Sequence, residues 1–210
     1  MTANRGVMCR RVAYCGGVLA AMAVGGSLAG CGSAPVAAPT AYVSYSAGDG
    51  TFAFEYPDGW EAKGGGKNGP LWATITSGPA EIRVNADLAG SLMGDIAASA
   101  MPNELEEAAL EFEPVHRVHE QGKEKAEADY SGYTELGSPQ ELKARLGPGR
   151  KSEFTASTTF GTGLHGYRAT VLAHSKRVVV YCVCPESNWP TLQPAFDHVL
   201  GTLVRGEGGL

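Results

Sequence analysis

The chain has 210 residues, 17 Lys+Arg against 22 Asp+Glu, a formal charge of −5, 43% hydrophobic residues and five cysteines. Such an acidic balance argues against a nucleic-acid partner and against adhesion to anionic headgroups. The hydrophobic content is enough for a sizeable core in one domain.

The first eleven residues hold Arg5, Arg10 and Arg11 and no acid. An uncharged, small-residue run follows from Val12 to Leu28 and ends in Leu28-Ala29-Gly30-Cys31. A basic start, an apolar centre and small residues at the end make a secretory signal over residues 1–30. The run is short for a membrane span of roughly 20 residues. Its last four residues resemble the bacterial lipobox. That resemblance implies a diacylglyceryl thioether on Cys31, cleavage before it, and attachment to the cell membrane or the outer membrane. One acyl chain alone gives only reversible binding, at about 0.8 kcal/mol per buried CH₂, so two or three chains would hold the protein. Without the three arginines the mature 180 residues carry 14 Lys+Arg against 22 Asp+Glu, a charge of −8. Cys9 and Cys15 leave with the signal and Cys31 is the anchor, so only Cys182 and Cys184 remain, too few for a disulfide framework.

Residues 31–43 are Ala/Pro/Ser-rich and uncharged and read as a linker, extended where it is polyproline-like. A single domain is expected over 44–206. Phe52, Phe54 and Tyr56 alternate with Ala53 and Glu55 as in a strand, and Pro57-Asp58-Gly59 ends the run. Leu71–Ser77 is a second strand. Ile82, Val84, Ala86 and Leu88 alternate with Arg83, Asn85 and Asp87 in a half-buried third. The period then changes: Leu92, Met93, Ile96, Ala97, Ala100 and Met101 have helical spacing, and Pro102 stops that helix. Asn103 and Glu106 fit the cap of a further short helix with Leu105, Ala109 and Phe112 inward. Ser138-Pro139-Gln140-Glu141 has the form of a capping box for a two-turn helix closed by Gly147, although an edge strand fits this Lys/Glu-rich middle equally. Phe154–Phe160, Tyr167–Ala173 and Arg177–Cys184 are three more β-rich runs, the last two joined by a tight turn at His174-Ser175-Lys176. Leu192, Ala195, Phe196, Val199, Leu200 and Leu203 form a closing amphipathic helix, with Pro194 placed in its first turn.

Segregated strands and helices imply an α+β domain with an antiparallel sheet flanked by helices on both sides. The opening Phe52-Ala53-Phe54-Glu55-Tyr56-Pro57-Asp58-Gly59-Trp60, and the ending in which strand Arg177–Cys184 leads through a polar turn into the Leu192–Leu200 helix, resemble the PsbP-like/Mog-like α/β/α sandwiches. That superfamily includes extrinsic photosystem subunits, a Ran-binding transport factor and bacterial envelope lipoproteins. The resemblance implies a sandwich fold and a docking or stabilising role. It carries no catalytic residues and no cofactor.

Several motifs invite chemistry. Cys182 and Cys184 share one face of a strand and read first as small core residues; a disulfide between them would be strained. Metal binding there would need His174 or His198 to arrive from elsewhere. His116-Arg117-Val118-His119-Glu120 lacks the H-E-x-x-H order and reads as a solvated polar stretch. Gly161-Thr162-Gly163-Leu164-His165-Gly166 matches a dinucleotide fingerprint but leads into a strand, so it reads as a hairpin loop. Glu104, Glu106, Glu107 and Glu111 read as a wet helix face. Trp60, Trp72 and Trp189 read as core plugs, with Trp189 the candidate for a surface anchor. No metal site and no nucleophile elbow is signalled. The expectation is a non-enzymatic, lipid-anchored binding or docking module for another envelope protein. The alternative is a carrier of an apolar small molecule between the sheet and the helical faces Leu92–Met101 and Leu192–Leu203.

Overall fold

The computed structural model describes residues 36–65, 71–88, 107–173 and 176–207, all within one compact unit. The expected signal, Cys31, the Leu92–Met101 helix, its Pro102 stop, the Asn103–Glu106 cap and the turn residues 174–175 lie outside these residues. Among the described residues no helix is long and apolar enough to cross a membrane.

Alternation builds most of the strands. β1 (Tyr42–Ser46) and β2 (Ala53–Pro57) form a hairpin of their own. The main sheet holds β3 (Glu61–Gly65), β4 (Leu71–Ser77), β5 (Ala80–Leu88), β6 (Ser131–Glu135), β7 (Gln140–Ala144), β8 (Gly147–Ser157), β9 (Gly163–Ala173) and β10 (Lys176–Pro185). Its order is β3-β4-β5-β10-β9-β8-β6, with β7 also on β8, and every pairing is antiparallel. The α+β class expected from the sequence is therefore the one observed.

Among the described residues three helices cover the sheet: α1 (Glu107–Gln121) and α2 (Lys123–Asp129) on one face, α3 (Trp189–Gly201) on the other. On the α3 side, Ile75, Ile82, Val84, Val178, Val180, Cys182 and Cys184 meet Leu192, Phe196, Val199, Leu200 and Leu203 in the larger core. The opposite face holds a smaller core of Ala126, Phe154, Ala156, Tyr181 and Val183. Residues i and i+1 of β10 thus serve different layers, which is why Val179–Cys184 is a continuous apolar run.

One open alternative is resolved and two expectations need correction. Of the two readings of the Ser138–Gly147 segment the edge strand is the one observed: β8 offers Gln140–Ala144 a ladder from Gln140↔Lys151 to Ala144↔Gly147, and that pairing overrides the local cap signal. Gly147 opens β8 instead of closing a helix. α3 begins at Trp189, with Pro190 in its first turn, so Pro194 falls in the second turn and forfeits a backbone hydrogen bond there. The folded body also reaches back into the expected linker, since β1 starts at Tyr42, Ala41 O accepts from Asp58 N at 2.9 Å, and Val36 packs on the larger core.

Candidate functional site

The α1–α2 turn does not close fully on the sheet. It leaves a groove of about 390 Å³ over β5, β10 and β9. Alternation puts Arg83, Asn85 and Asp87 of β5 on this face, because Ile82, Val84 and Ala86 are taken by the α3 core. Val179 and Tyr181 of β10 and Thr170 of β9 complete the floor, while Gln121, Gly122, Lys125 and Asp129 form the helical wall.

Arg83 is the central cation. The register sets it beside Tyr181, with the guanidinium carbon 5.2 Å from that ring and 5.6 Å from the ring of Tyr130. Its Nη2 donates to Tyr130 Oη at 2.8 Å and its Nε lies 3.6 Å from Glu81 Oε1. That Nε is buried and makes no hydrogen bond. Burial works to lower the pKa of Arg83, but Tyr130, Glu81 and Asp129 outweigh it and the value is raised. Burial likewise pushes the Tyr130 hydroxyl up to about 12, against the pull of Arg83. At the rim Arg177 forks onto Asp87, Nε to Oδ1 at 3.1 Å and Nη2 to Oδ2.

Beneath the groove runs a polar chain that locks α1 to the sheet. Thr170 Oγ1 is 3.0 Å from His119 Nδ1, and Ser152 Oγ is 2.9 Å from His119 Nε2. Burial, then the neighbouring Arg168 cation, lowers the His119 pKa to about 3, so the imidazole is neutral. It donates to one hydroxyl and accepts from the other. Arg168 gives Nη1 to His119 O at 2.5 Å, Nη2 to Glu135 Oε1 at 2.6 Å and Nε to Tyr133 Oη at 3.0 Å. Tyr133 Oη in turn donates to Glu135 Oε1 at 2.6 Å. Burial would raise the Glu135 pKa, but these hydrogen bonds from Tyr133 and Arg168 hold it below the ordinary carboxylate value. His119 and Arg168 are 0% exposed. A serine or threonine beside a histidine invites a nucleophilic reading. Here both hydroxyls are sealed with the imidazole, so the arrangement joins layers and presents no nucleophile to solvent.

His116-to-Glu120 is therefore not a wholly solvated stretch. His116, Arg117 and Glu120 face out, but Val118 and His119 are buried, because α1 runs along the sheet through this segment. Trp189 is 7% exposed, stacked on His165 with ring centroids 4.1 Å apart and edge-on to Tyr167 at 4.8 Å. It is a core plug like Trp60, and the surface-anchor role does not fit it. Trp72, expected inside, is 39% exposed because its strand neighbours Leu71 and Ala73 take the core face.

Cys182 and Cys184 are buried, unbonded core residues. Burial raises both thiol pKa values, that of Cys184 to about 12. His198 is held by Glu55 Oε2 at 2.7 Å and packed against the tilted Tyr42 ring, and does not join them. Among the described residues no group of three His, Cys, Asp or Glu is placed to hold a metal ion. Gly163 opens β9, as the hairpin reading of the glycine motif requires. Gly166 is needed for packing: a Cβ there would lie 2.4 Å from Cys182 O and 3.2 Å from the Phe154 ring. The Leu192–Leu203 face packs against the sheet in the larger core; Leu92–Met101, the other face expected to line an apolar pocket, lies outside the described residues.

The Arg83 and Arg168 clusters were not singled out from the sequence. A signal existed for Arg168, a lone cation in the apolar run Tyr167–Ala173. Its partners Tyr133 and Glu135 stand in the segment with the weakest periodicity.

No protein-family model matches the sequence, and no curated protein matches it. Solved structures do. PsbP (CyanoP) of Synechocystis shares 14% identity at a TM-score of 0.52, covering 85% of this chain and 98% of that one. The Ran-binding protein Mog1p of Saccharomyces cerevisiae shares 7% at 0.47, covering 79% and 95%. LpqN of Mycobacterium tuberculosis, involved in cell envelope biogenesis, shares 11% at 0.46, covering 82% and 90%. The first of these carries the assignment: the chain has a PsbP-like α/β/α sandwich fold. Likeness at this level of identity defines the architecture and no activity.

Proposed function

We propose that this protein is an exported lipoprotein, held through a lipid on Cys31, whose PsbP-like domain is a non-enzymatic module that docks onto another envelope protein through the Arg83 groove. The anchor is supported by the order of the first 31 residues: arginines, an uncharged apolar run, then Leu-Ala-Gly-Cys. The docking role is supported above all by Arg83. Its guanidinium lies against two tyrosine rings in an open groove, and the side chain keeps 33% of its surface exposed there. Arginine and tyrosine together are the usual anchors of protein interfaces. A main-chain carbonyl or carboxylate of a partner segment would meet the exposed part of that guanidinium. The sealed hydroxyls and high-pKa thiols favour binding over catalysis.

A photo-reactive residue at Lys125, on the exposed wall of the groove, tests this in cells that make the protein. A crosslink to one envelope protein is expected from position 125 and not from Lys143 on β7, and Arg83→Ala should weaken it. Equal crosslinking from both positions, or none from 125, removes the docking reading. The mass of the Cys31 peptide tests the anchor separately.

A further inference from the structure

At the tip of the β8–β9 hairpin, Phe160 is 97% exposed. The tip is not loose. Thr158 N donates to Thr162 O, Gly161 N to Thr158 O, both at 2.9 Å, and Thr162 N to Thr158 Oγ1 at 3.0 Å. Gly161 takes the left-handed conformation that closes the turn, with φ 79°. A rigid turn that presents an aromatic ring to solvent gains nothing for the fold from that ring. From Phe154 to Leu164 the hairpin also carries no charge, in a strongly acidic domain.

The registers say where this tip points. Ser157↔Gly163 and Ser131↔Ser157 put it at the end of the sheet that also holds the Gly78 turn and the start of β3, paired as Glu61↔Thr76. The chain arrives at that same end, since Tyr42 pairs with Pro57 just before β3 and Ala41 O accepts from Asp58 N. Val36 already packs on the core, so Cys31 lies only five residues before the folded body, at most about 17 Å of extended chain.

We infer that the β8–β9 tip, with Phe160 at its apex, seats in the interfacial layer of the bilayer to which Cys31 is attached. This rests on the lipid anchor proposed above and adds an orientation, with that end of the sheet facing the membrane. An aromatic ring on an uncharged, hydroxyl-rich loop suits the headgroup region, where one side is apolar and the other wet. Asp58, Glu61 and Glu186 share this end and oppose anionic headgroups, so the contact is apolar in origin and suits zwitterionic lipid.

The test uses the full lipidated chain, purified from producing cells and reconstituted in phosphatidylcholine vesicles, with and without bromine on the acyl chains. Phe160→Trp is compared with Lys143→Trp, an 84% exposed position at the opposite end of the sheet. Both chains keep the three native tryptophans, so the difference reports the new ring. Brominated lipid is expected to quench the added emission of the Phe160→Trp chain several-fold more than that of the Lys143→Trp chain. Equal quenching in a chain that floats with the vesicles and carries acyl mass on Cys31 overturns the orientation alone, and leaves Phe160 to a protein partner. A chain that does not float, or whose Cys31 is bare, overturns the anchor and this inference together.

Discussion

Arg168 Nη1 donates to the main-chain oxygen of His119 at 2.5 Å, so a charged side chain of the interior strand β9 caps the C-terminal end of α1. Helix C-termini leave carbonyls without internal partners, and a cation is favourable there. Because Arg168 is fully buried and paired with Glu135, this contact sets the helix on the sheet and leaves the groove beside it.

Removing one half of that pair should be costly. Glu135→Ala strands the Arg168 charge in the interior, and about 3 kcal/mol of stability should be lost. Replacing both, as Arg168→Met with Glu135→Leu, should cost less than the sum of the two single changes, because no orphan charge remains. Urea denaturation of the four chains measures the coupling, and strict additivity would show the pair to be independent.

His119 makes stability depend on pH. Its folded pKa is lowered to about 3 from an ordinary 6.5. Between these values the unfolded chain binds a proton that the folded one refuses. This histidine's contribution is therefore complete above pH 6.5 and is lost as the pH falls towards 3, by up to about 1.4 kcal/mol per pH unit. His119→Gln removes the titration and should flatten the fall in the urea midpoint between pH 7 and pH 5. An unchanged slope would place the acid sensitivity elsewhere.

The two strand cysteines should be inert while the protein is folded. Thiolate is the reactive form, and burial keeps both thiols protonated at neutral pH. Iodoacetamide should add nothing at Cys182 or Cys184 in native protein and two groups after denaturation, read by mass. Rapid native labelling would contradict the sealed core.

Gly166→Ala should destabilise the sheet although the substitution is small. The new methyl would press on Cys182 O and the Phe154 ring, and overpacking of this kind costs about 1–3 kcal/mol. Thermal unfolding should show it, whereas Gly201→Ala, where a Cβ meets nothing within 4 Å, should not lose stability.

The legible parts of this chain are those whose periodicity is set by one buried face. β4, β5, β9, β10 and the Leu192–Leu203 stripe of α3 follow directly from alternation or helical spacing. The Ser138–Gly147 segment stayed open between helix and edge strand because a capping pattern is local, while the free edge of β8 that captures Gln140–Ala144 is assembled from distant residues. His119 was misread for a related reason. Its immediate neighbours His116, Arg117 and Glu120 are exposed, and only the docking of α1 turns that one imidazole inward.

Local order along the chain was sufficient to assign the acidic α+β character, the strand pairs with strong alternation and the core placement of Cys182 and Cys184. Those traits depend on composition and on side-chain period, which are properties of contiguous residues. The Arg83 groove, the Arg168–Glu135 bond and the shared end of Phe160 and the incoming chain arise only when β5, β6, β9 and α1 are brought together. Strand order and register decide which polar side chains meet, and neither is encoded at any single position.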